Sequence, residues 1–414
     1  MIPGLAELVP SEAVGSFRLP DGSERPLVAP REAQGFADVL AWAAREGRAV
    51  LVIGGGSRLR ALNRHERVDL VLSTRNYTGI VAYEPGDGTL TARAGSTWAE
   101  LAAAVARGGH HLAPDVPHPT HTTLGGVLGS GERGFDRLRH GPARHQVLGT
   151  RVALADGSLS KSGGALVKNV TGYDLHRLYA GSWGTLGVIL EASLRLYPRP
   201  DAEAAVLATF DDRARALEAA RAIHELPVRP IAVVLHGAQG SGLELAVFLA
   251  QRSDVLAWEL QEIAARLPAP RTVEGEAAAA LRIRMRDRPD RPGPALVLSL
   301  RPSQVASTWA ELERKASELG LPLEIACHPL VATLEVDLPG ADELPAERLL
   351  AFHRALLAAG APLHWERAPR GLREAREPID VFGAPPSALP WMRRMKQALD
   401  PTSVFARGGF LGGT

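Results

Sequence analysis

The sequence predicts an α+β protein of more than one domain, and three observations carry that prediction. The chain has 414 residues, beyond the size at which one core keeps growing. Glycine-rich turns between strand-like apolar runs crowd the first 200 residues. After the Pro198-Arg199-Pro200 break the texture changes to a βαββα order that occurs twice, which implies a duplicated ferredoxin-like unit: one antiparallel sheet with helices on one face. The expected boundaries are 1–200, with an N-terminal arm over 1–30, then 201–365 and 366–414.

Composition narrows the function classes. Hydrophobic residues make up 45% and charged residues 22%, the usage of an ordinary soluble domain. The 47 basic and 46 acidic side chains leave a net charge of +1, too small a field to draw nucleic acid or an anionic membrane. The longest apolar runs, such as Ala49 to Ile53, are far shorter than a membrane span. No basic region followed by an apolar run opens the chain, so a cytoplasmic location is expected. The single cysteine, Cys327, excludes an internal disulfide, a multi-cysteine zinc site and a cysteine-held iron–sulfur cluster within these residues. Its apolar neighbours mark it as a buried structural thiol.

In chain order, Arg31 to Gly47 carries Phe36, Val39, Leu40 and Ala43 on one helical face. The strand Ala49 to Ile53 runs into Gly54-Gly55-Gly56-Ser57, where freed backbone can turn successive N–H groups inward as an anion nest, or simply make a tight turn with no ligand. Strands follow at 68–72, 79–83 and 90–94, then a helix over 96–107 capped by Ser96 or Thr97. His111 to Gly149 is dense in glycine, proline and polar residues, shows no sustained period, and is expected to be a long loop cradling a large phosphate-bearing cofactor. Gly129 to Gly134 formally matches GxGxxG but lacks the strand before and the helix after that a dinucleotide fingerprint requires. Six histidines (110, 111, 118, 121, 140 and 145) lie in this region without accompanying carboxylates or an HExxH helix, so no metal site is expected. A strand over 147–155 enters an Asp156-Gly157 hairpin, Lys161 to Gly164 reads as a second turn, and 173–179 as a short helix. Gly184 to Gly187 precedes the strand 188–196. The second domain reads as strand 205–210, helix 214–225, strands 231–236 and 243–250 and helix 255–267. After a charged linker over 284–294 come strand 295–301, helix 304–319, strands 321–327 and 330–337, helix 345–359 and strand 362–365. A helix over 389–399 and a glycine-rich end close the chain.

The stretches GGGSRLR (54–60), TARAGSTWAEL (91–101), TLGGVLGSG (123–131), VKNVTGYDLHRLYAGSWGTLGVILEASLRLYPRP (167–200), RAP (367–369) and MRRMKQALDP (392–401) together resemble the FAD-binding domain of the vanillyl-alcohol oxidase (p-cresol methylhydroxylase) type. Within that superfamily they are most like the FAD-binding subunit of bacterial glycolate oxidase. The resemblance covers roughly 35–200 and 362–414, so it implies a two-subdomain FAD-binding domain, rejoined by 366–414, around the duplicated ferredoxin-like cap. It implies that Gly54, Gly55, Gly56, Ser57 and Arg58 hold the pyrophosphate. Thr122, Thr123, Leu124, Gly125 and Gly126 would line the flavin and ribityl side, continued by Ser130 and Gly131, with Val188 and Ile189 at the adenine end. Main-chain amides of three separate turns would thus converge on one flavin. No histidine occupies 54–58, which implies noncovalent FAD.

The family's HxGDGNxH and EHGxG motifs are absent, and its terminal FNPGR is replaced by Phe405-Ala406-Arg407-Gly408-Gly409. His364, Glu366 and Arg367 are the remaining candidates for binding a carboxylate substrate or taking its proton. The resemblance implies the FAD-binding subunit of a glycolate oxidase-like 2-hydroxy-acid dehydrogenase, partnered by a paralogous flavin subunit and by an iron–sulfur subunit that accepts its electrons. A stand-alone FAD oxidoreductase for a small hydroxy acid or alcohol and a flavin-free scaffolding subunit are the alternatives.

Overall fold

The computed structural model describes residues 4–5, 8–165, 173–238, 242–287, 293–373 and 379–414. Residues 167–172 of the quoted motif, 288–292 of the expected linker, and 1–3 and 6–7 of the arm lie outside the described residues. The chain forms two compact units. Unit 1 comprises Met1–Gly134, Gly141–Arg199 and Pro385–Thr414, and unit 2 comprises Phe135–His140 and Pro200–Ala384.

Unit 1 contains two sheets. The first has the order β1-β2-β4-β3, from β1 (Val14–Arg18), β2 (Glu24–Val28), β3 (Val50–Ile53) and β4 (Leu70–Ser73). Helix α1 (Ala33–Arg45) buries Phe36, Val39, Leu40 and Ala43, spaced i, i+3, i+4, i+7, in one apolar cluster with Val28, Leu70 and Leu72. The second sheet has the order β5-β6-β10-β8-β9, built from β5 (Ile80–Glu84), β6 (Thr89–Arg93), β8 (Val147–Ala153), β9 (Leu159–Gly163) and the long β10 (Val188–Pro198); β7 (His110–Leu112) pairs with the far end of β10. Helix α2 (Trp98–Ala106) starts at a capping box, with Glu100 N–H donating to Thr97 Oγ1 at 3.2 Å and Thr97 N–H to the Glu100 carboxylate at 2.9 Å. The Asp156-Gly157 hairpin joins β8 to β9, and the expected turn at 161–164 is instead largely strand β9.

The expected long loop is not irregular throughout. Besides β7 it forms helix α3 (Leu124–Ser130) and, in unit 2, the single turn α4 (Arg137–His140). Three of the seven residues of α3 are glycine, which argues against a helix on propensity alone. Packing overrides propensity here: Leu124, Val127 and Leu128, at i, i+3 and i+4, are fully buried, and the Thr123 hydroxyl caps the Gly126 N–H at 3.1 Å.

In unit 2 the strands are β11 (Ala202–Phe210), β12 (Ala232–Ala238), β13 (Leu243–Gln251), β14 (Arg271–Glu274), β15 (Ala295–Ser299), β16 (Glu324–His328), β17 (Thr333–Asp337) and β18 (Leu363–Arg367). They form one sheet in the order β14-β11-β13-β12-β16-β17-β15-β18, antiparallel in every pairing. Each half is therefore βαββαβ with spatial order 4-1-3-2, and the halves join through their second strands, β12 and β16. The sequence reading missed the first half's closing strand, β14, and the helix after it, α8 (Gly275–Arg286). β14 is a four-residue edge strand with exposed Arg271 and Glu274, and α8 buries only Ala278 and Leu281, so neither carries a strong apolar period.

The expectation of helices on one face also needs correction. Helices α6 (Arg213–His224), α7 (Ser253–Ala264), α9 (Val305–Leu319) and α10 (Ala346–Ala358) pack with Val206, Val247 and Leu334 on one face. Leu281 of α8 and Phe135 share a second cluster on the opposite face with Leu207, Val234 and Phe248. Phe135 meets the Phe248 ring edge-on at 5.3 Å, and Arg139 donates to Ala250 O at 2.8 Å. Short helices α5 (Leu175–Tyr179) and α11 (Arg370–Arg373) and the C-terminal α12 (Leu389–Leu399) complete the elements.

The C-terminal residues belong to the first sheet of unit 1. Val50 N–H donates to Val404 O at 2.7 Å and Ala406 N–H to Val50 O at 2.9 Å, extending the sheet beside β3. A buried ion pair holds this end. Lys396 Nζ donates to Asp400 Oδ2 at 2.6 Å and to Thr185 O at 2.9 Å, while the Asp400 carboxylate accepts from Val404 N–H at 2.7 Å and Phe405 N–H at 3.0 Å. Burial lowers the Lys396 ammonium below its usual range, although the Asp400 carboxylate opposes that shift.

Candidate functional site: a glycine-walled pocket in unit 1

The turn after β3 is built by close approach. A Cβ on Gly54 would lie 2.2 Å from the Thr123 hydroxyl, and one on Gly55 would lie 3.0 Å from His121 O. Gly56 has φ +79°, where a side chain is strained. Ser73 Oγ donates to Gly54 O at 2.9 Å and fixes where the turn leaves the sheet. Among the described residues, no hydrogen bond inside the chain engages the N–H groups of Gly55, Gly56 and Ser57. These three amides are available to an anion.

The TLGG segment differs. Leu124 N–H donates to Ser96 O at 2.9 Å, Gly125 N–H to Ala94 O at 2.8 Å, and Gly126 N–H to its cap. Its amides are consumed by the fold, so what it offers the pocket is a flat wall. A Cβ on Gly125 would press on Ala94 at 3.1 Å, so that glycine is demanded by packing against the end of β6. The third turn is fastened to α3, with Gly181 N–H donating to Leu128 O and Trp183 N–H to Gly129 O, both at 2.8 Å. Gly184, at φ +74°, would bring a Cβ to 3.0 Å from Val52, and a Cβ on Gly187 would come within 2.5 Å of Val152.

These three turns line one pocket, about 760 Å³ of space with its open mouth included. Of the residues expected to bind cofactor, Gly54, Gly55, Gly56, Ser57, Arg58, Thr122, Thr123, Gly125, Gly126, Ser130 and Ile189 lie on its wall. Leu124 and Val188 are buried in the core behind it, and Gly131, at φ +68°, ends α3 against Gly181. The Arg58 guanidinium is paired with Glu132 at the far end of α3. Burial works against ionisation of Glu132, yet Arg58, Arg133 and the N–H groups of Gly134 and Arg133 together hold its carboxyl below the usual range.

The wall also carries residues the sequence reading did not single out: Thr74, Leu59, Leu62, Gly129 and Trp183 among them. Thr74 was legible only as the residue after a strand, since nothing in its spacing sets it beside a turn 50 residues away. A smaller recess shares Val52, Leu62, Trp183 and Gly184 with the pocket and contains His65, whose imidazole burial pushes down to about 4. A Cβ on Gly409 would collide with that ring, so glycine at 409 is required by the recess.

The candidates on β18 are in unit 2. His364 stacks on Phe382 at 4.3 Å, and Arg367 donates to Asp337 Oδ1 at 2.8 Å and Gly293 O at 2.9 Å, so a substrate carboxylate at Arg367 would have to displace Asp337. Glu366 is held on the same strand. Cys327 is fully buried, and burial pushes its thiol up, away from the reactive thiolate. The loop histidines make separate local contacts: His110 with Tyr83 Oη at 2.9 Å, His111 with Pro198 O at 3.0 Å, and His121 with Thr120 Oγ1 at 3.0 Å. Among the described residues no three His, Cys, Asp or Glu side chains are placed to hold a metal ion, and no helix is long and apolar enough to cross a membrane.

A diphosphate needs several donors beside a backbone without side chains, and the 55–57 amides could supply them; a planar ring system needs a flat wall, and the TLGG and Gly184–Gly187 segments could supply that. The residues present fit FAD. Residues 25–173 match the family described as FAD binding domain. A solved structure of alkyldihydroxyacetonephosphate synthase superposes on 92% of this chain and 76% of its own, with TM-score 0.70 and 15% identity, a likeness of fold. The match over residues 25–173 supports FAD as the cofactor, and the likeness to the solved structure is one of fold. The chain is similar to subunits of bacterial glycolate oxidase. It is 38% identical over 148 residues to glycolate oxidase subunit GlcE of Escherichia coli (36% of this chain, 42% of the relative). It is 30% identical over 186 residues to glycolate oxidase subunit GlcD of Bacillus subtilis (45% and 40%). A D-lactate dehydrogenase of Archaeoglobus fulgidus is 33% identical over 185 residues (42% and 41%). The chain spans about two fifths of the length of each of these relatives.

Proposed function

We propose that this chain is an FAD-dependent oxidoreductase acting on a 2-hydroxy acid, as the FAD-binding subunit of a glycolate oxidase-like complex. The observation that carries the reading is the pocket, where three free amides and two glycine walls meet, in a chain similar to glycolate oxidase subunits. Bound FAD supplies hydride acceptance and stepwise release of electrons. The chain's own residues supply the rest. Gly55, Gly56 and Ser57 would bind the diphosphate through their N–H groups, Thr122, Thr123, Gly125 and Gly126 would orient the ring system, and the apolar lining of Ile53, Leu59 and Ile189 would exclude water. With one buried thiol, these residues cannot ligate an iron–sulfur cluster, so electrons would leave to a separate cysteine-rich subunit. A paralogous flavin subunit would complete the assembly, as the naming of the two glycolate oxidase relatives suggests.

Gly129 offers a clean test. It lines the pocket, and a Cβ there meets no protein atom within 4 Å, so Gly129→Leu adds bulk at the pocket wall from an unobstructed Cβ position. Because glycine is a poor helix residue, the variant should hold or raise apoprotein stability by up to about 1 kcal/mol while losing FAD by at least a hundredfold in Kd. The purified chain should be yellow, and anaerobic glycolate or D-lactate should bleach it. A yellow chain that neither substrate bleaches places dehydrogenation in another subunit, and a chain that binds no FAD refutes the proposal.

A further inference from the structure

Four hydroxyl side chains other than the exposed Ser57 line the pocket, and three have partners inside the protein. Thr122 Oγ1 donates to Pro117 O at 3.0 Å, Ser130 Oγ donates to Gly126 O at 2.8 Å, and Thr123 Oγ1 accepts from Gly126 N–H. Thr74 is the exception. Its residue is 3% exposed, and its Oγ1 is buried with no hydrogen-bond partner. Its backbone is fully committed: Thr74 N–H donates to Ile53 O at 3.0 Å, Thr74 O accepts from Tyr77 N–H at 2.8 Å, and a Cβ on Gly95 would strike that oxygen at 2.0 Å. The backbone therefore cannot shift to bring the hydroxyl to a partner. A Cβ on Gly125 would stand 3.6 Å from this hydroxyl, so with glycine there no side chain of residue 125 lies against it.

An unpaired buried hydroxyl destabilises a fold, and valine of the same shape would avoid that cost. We propose that Thr74 Oγ1 is a binding group for FAD, forming a hydrogen bond with a polar atom of the cofactor at the junction of β4 and the TLGG wall. This rests on the reading that FAD occupies the pocket. Thr150 separates the two ideas. Its Oγ1 is also buried and unpartnered, but Thr150 is on β8 and is not part of the pocket lining.

The experiment measures FAD affinity by fluorescence titration, and apoprotein melting temperature, on the full chain. Thr74→Val should leave the apoprotein melting temperature unchanged or higher while raising the FAD Kd about 5–20-fold. Thr74→Ala should raise Kd similarly, and Thr74→Ser, which keeps the hydroxyl, should stay within about threefold of wild type. Thr150→Val should raise the melting temperature and leave Kd within twofold. If Thr74→Val and Thr74→Ala both bind FAD within twofold of wild type while Gly129→Leu still abolishes binding, the Thr74 assignment is overturned and the pocket reading stands. If wild type takes up no FAD, or Gly129→Leu binds it normally, both fall.

Discussion

Asp400 is buried to 1% exposure, and among the described residues its carboxylate is the one anion holding Lys396 at the point where the C-terminal strand meets β3. Asp400→Ala removes that anion and leaves Lys396 with only Thr185 O and, at 3.4 Å, Phe405 O. Removing one partner of a buried pair costs about 3–5 kcal/mol. The Val404 and Phe405 N–H groups also lose their acceptor, each worth about 1–3 kcal/mol when left buried and unpaired. Because these losses overlap, we expect a total near 4–6 kcal/mol, a large share of a stability of roughly 5–15 kcal/mol. Lys396→Met also strands a buried charge, but Asp400 keeps both N–H donors, so it should cost less than Asp400→Ala, about 3 kcal/mol. The double variant should regain about 2–3 kcal/mol over Asp400→Ala, because the stranded charge has gone. Urea unfolding of the four proteins, with hydrogen–deuterium exchange over residues 400–406, measures this. Val50 pairs with Val404 and Thr185 adjoins the pocket wall, so FAD affinity should fall with stability. An Asp400→Ala protein within 1 kcal/mol of wild type, or a double variant less stable than Asp400→Ala, would refute the reasoning.

Two further outcomes follow from unit 2 and from the histidines. His353 is 2% exposed and its Nδ1 accepts from Trp365 Nε1 at 3.1 Å; burial pushes its pKa down to about 4, which Arg354 assists and Asp380 opposes. The unfolded chain therefore binds the proton first. Stability is full above pH 6.5 and is lost as pH falls toward 4, by at most ~3 kcal/mol. Melting temperature against pH should show this slope in wild type and a shallower one in His353→Gln. Replacing His118 and His121 with Ala should leave metal content, measured by elemental analysis, at background in both proteins; a stoichiometric metal lost on substitution would contradict the contacts described for that loop.

Local order carried much of the fold into plain sight. The i, i+3, i+4, i+7 spacing of Phe36, Val39, Leu40 and Ala43 specifies α1, and Asp156-Gly157 specifies its hairpin, because each signal acts between residues close in sequence. The three glycine turns were equally readable, since few other residues tolerate such backbones. Long-range packing decided the rest. Helix α3 exists because Leu124, Val127 and Leu128 find a core to fill, and β14 exists because β11 offers it an edge. Phe135 leaves the first unit's sequence neighbourhood for the open face of the second unit's sheet. Which amides of the glycine turns remain free, and that Thr74 lines the pocket with an unpartnered hydroxyl, depend on neighbours dozens of residues away. A chain read in order shows which residues are able to bend, pair or pack; only closure of the sheets determines which of those capacities are used up and which are left for a ligand.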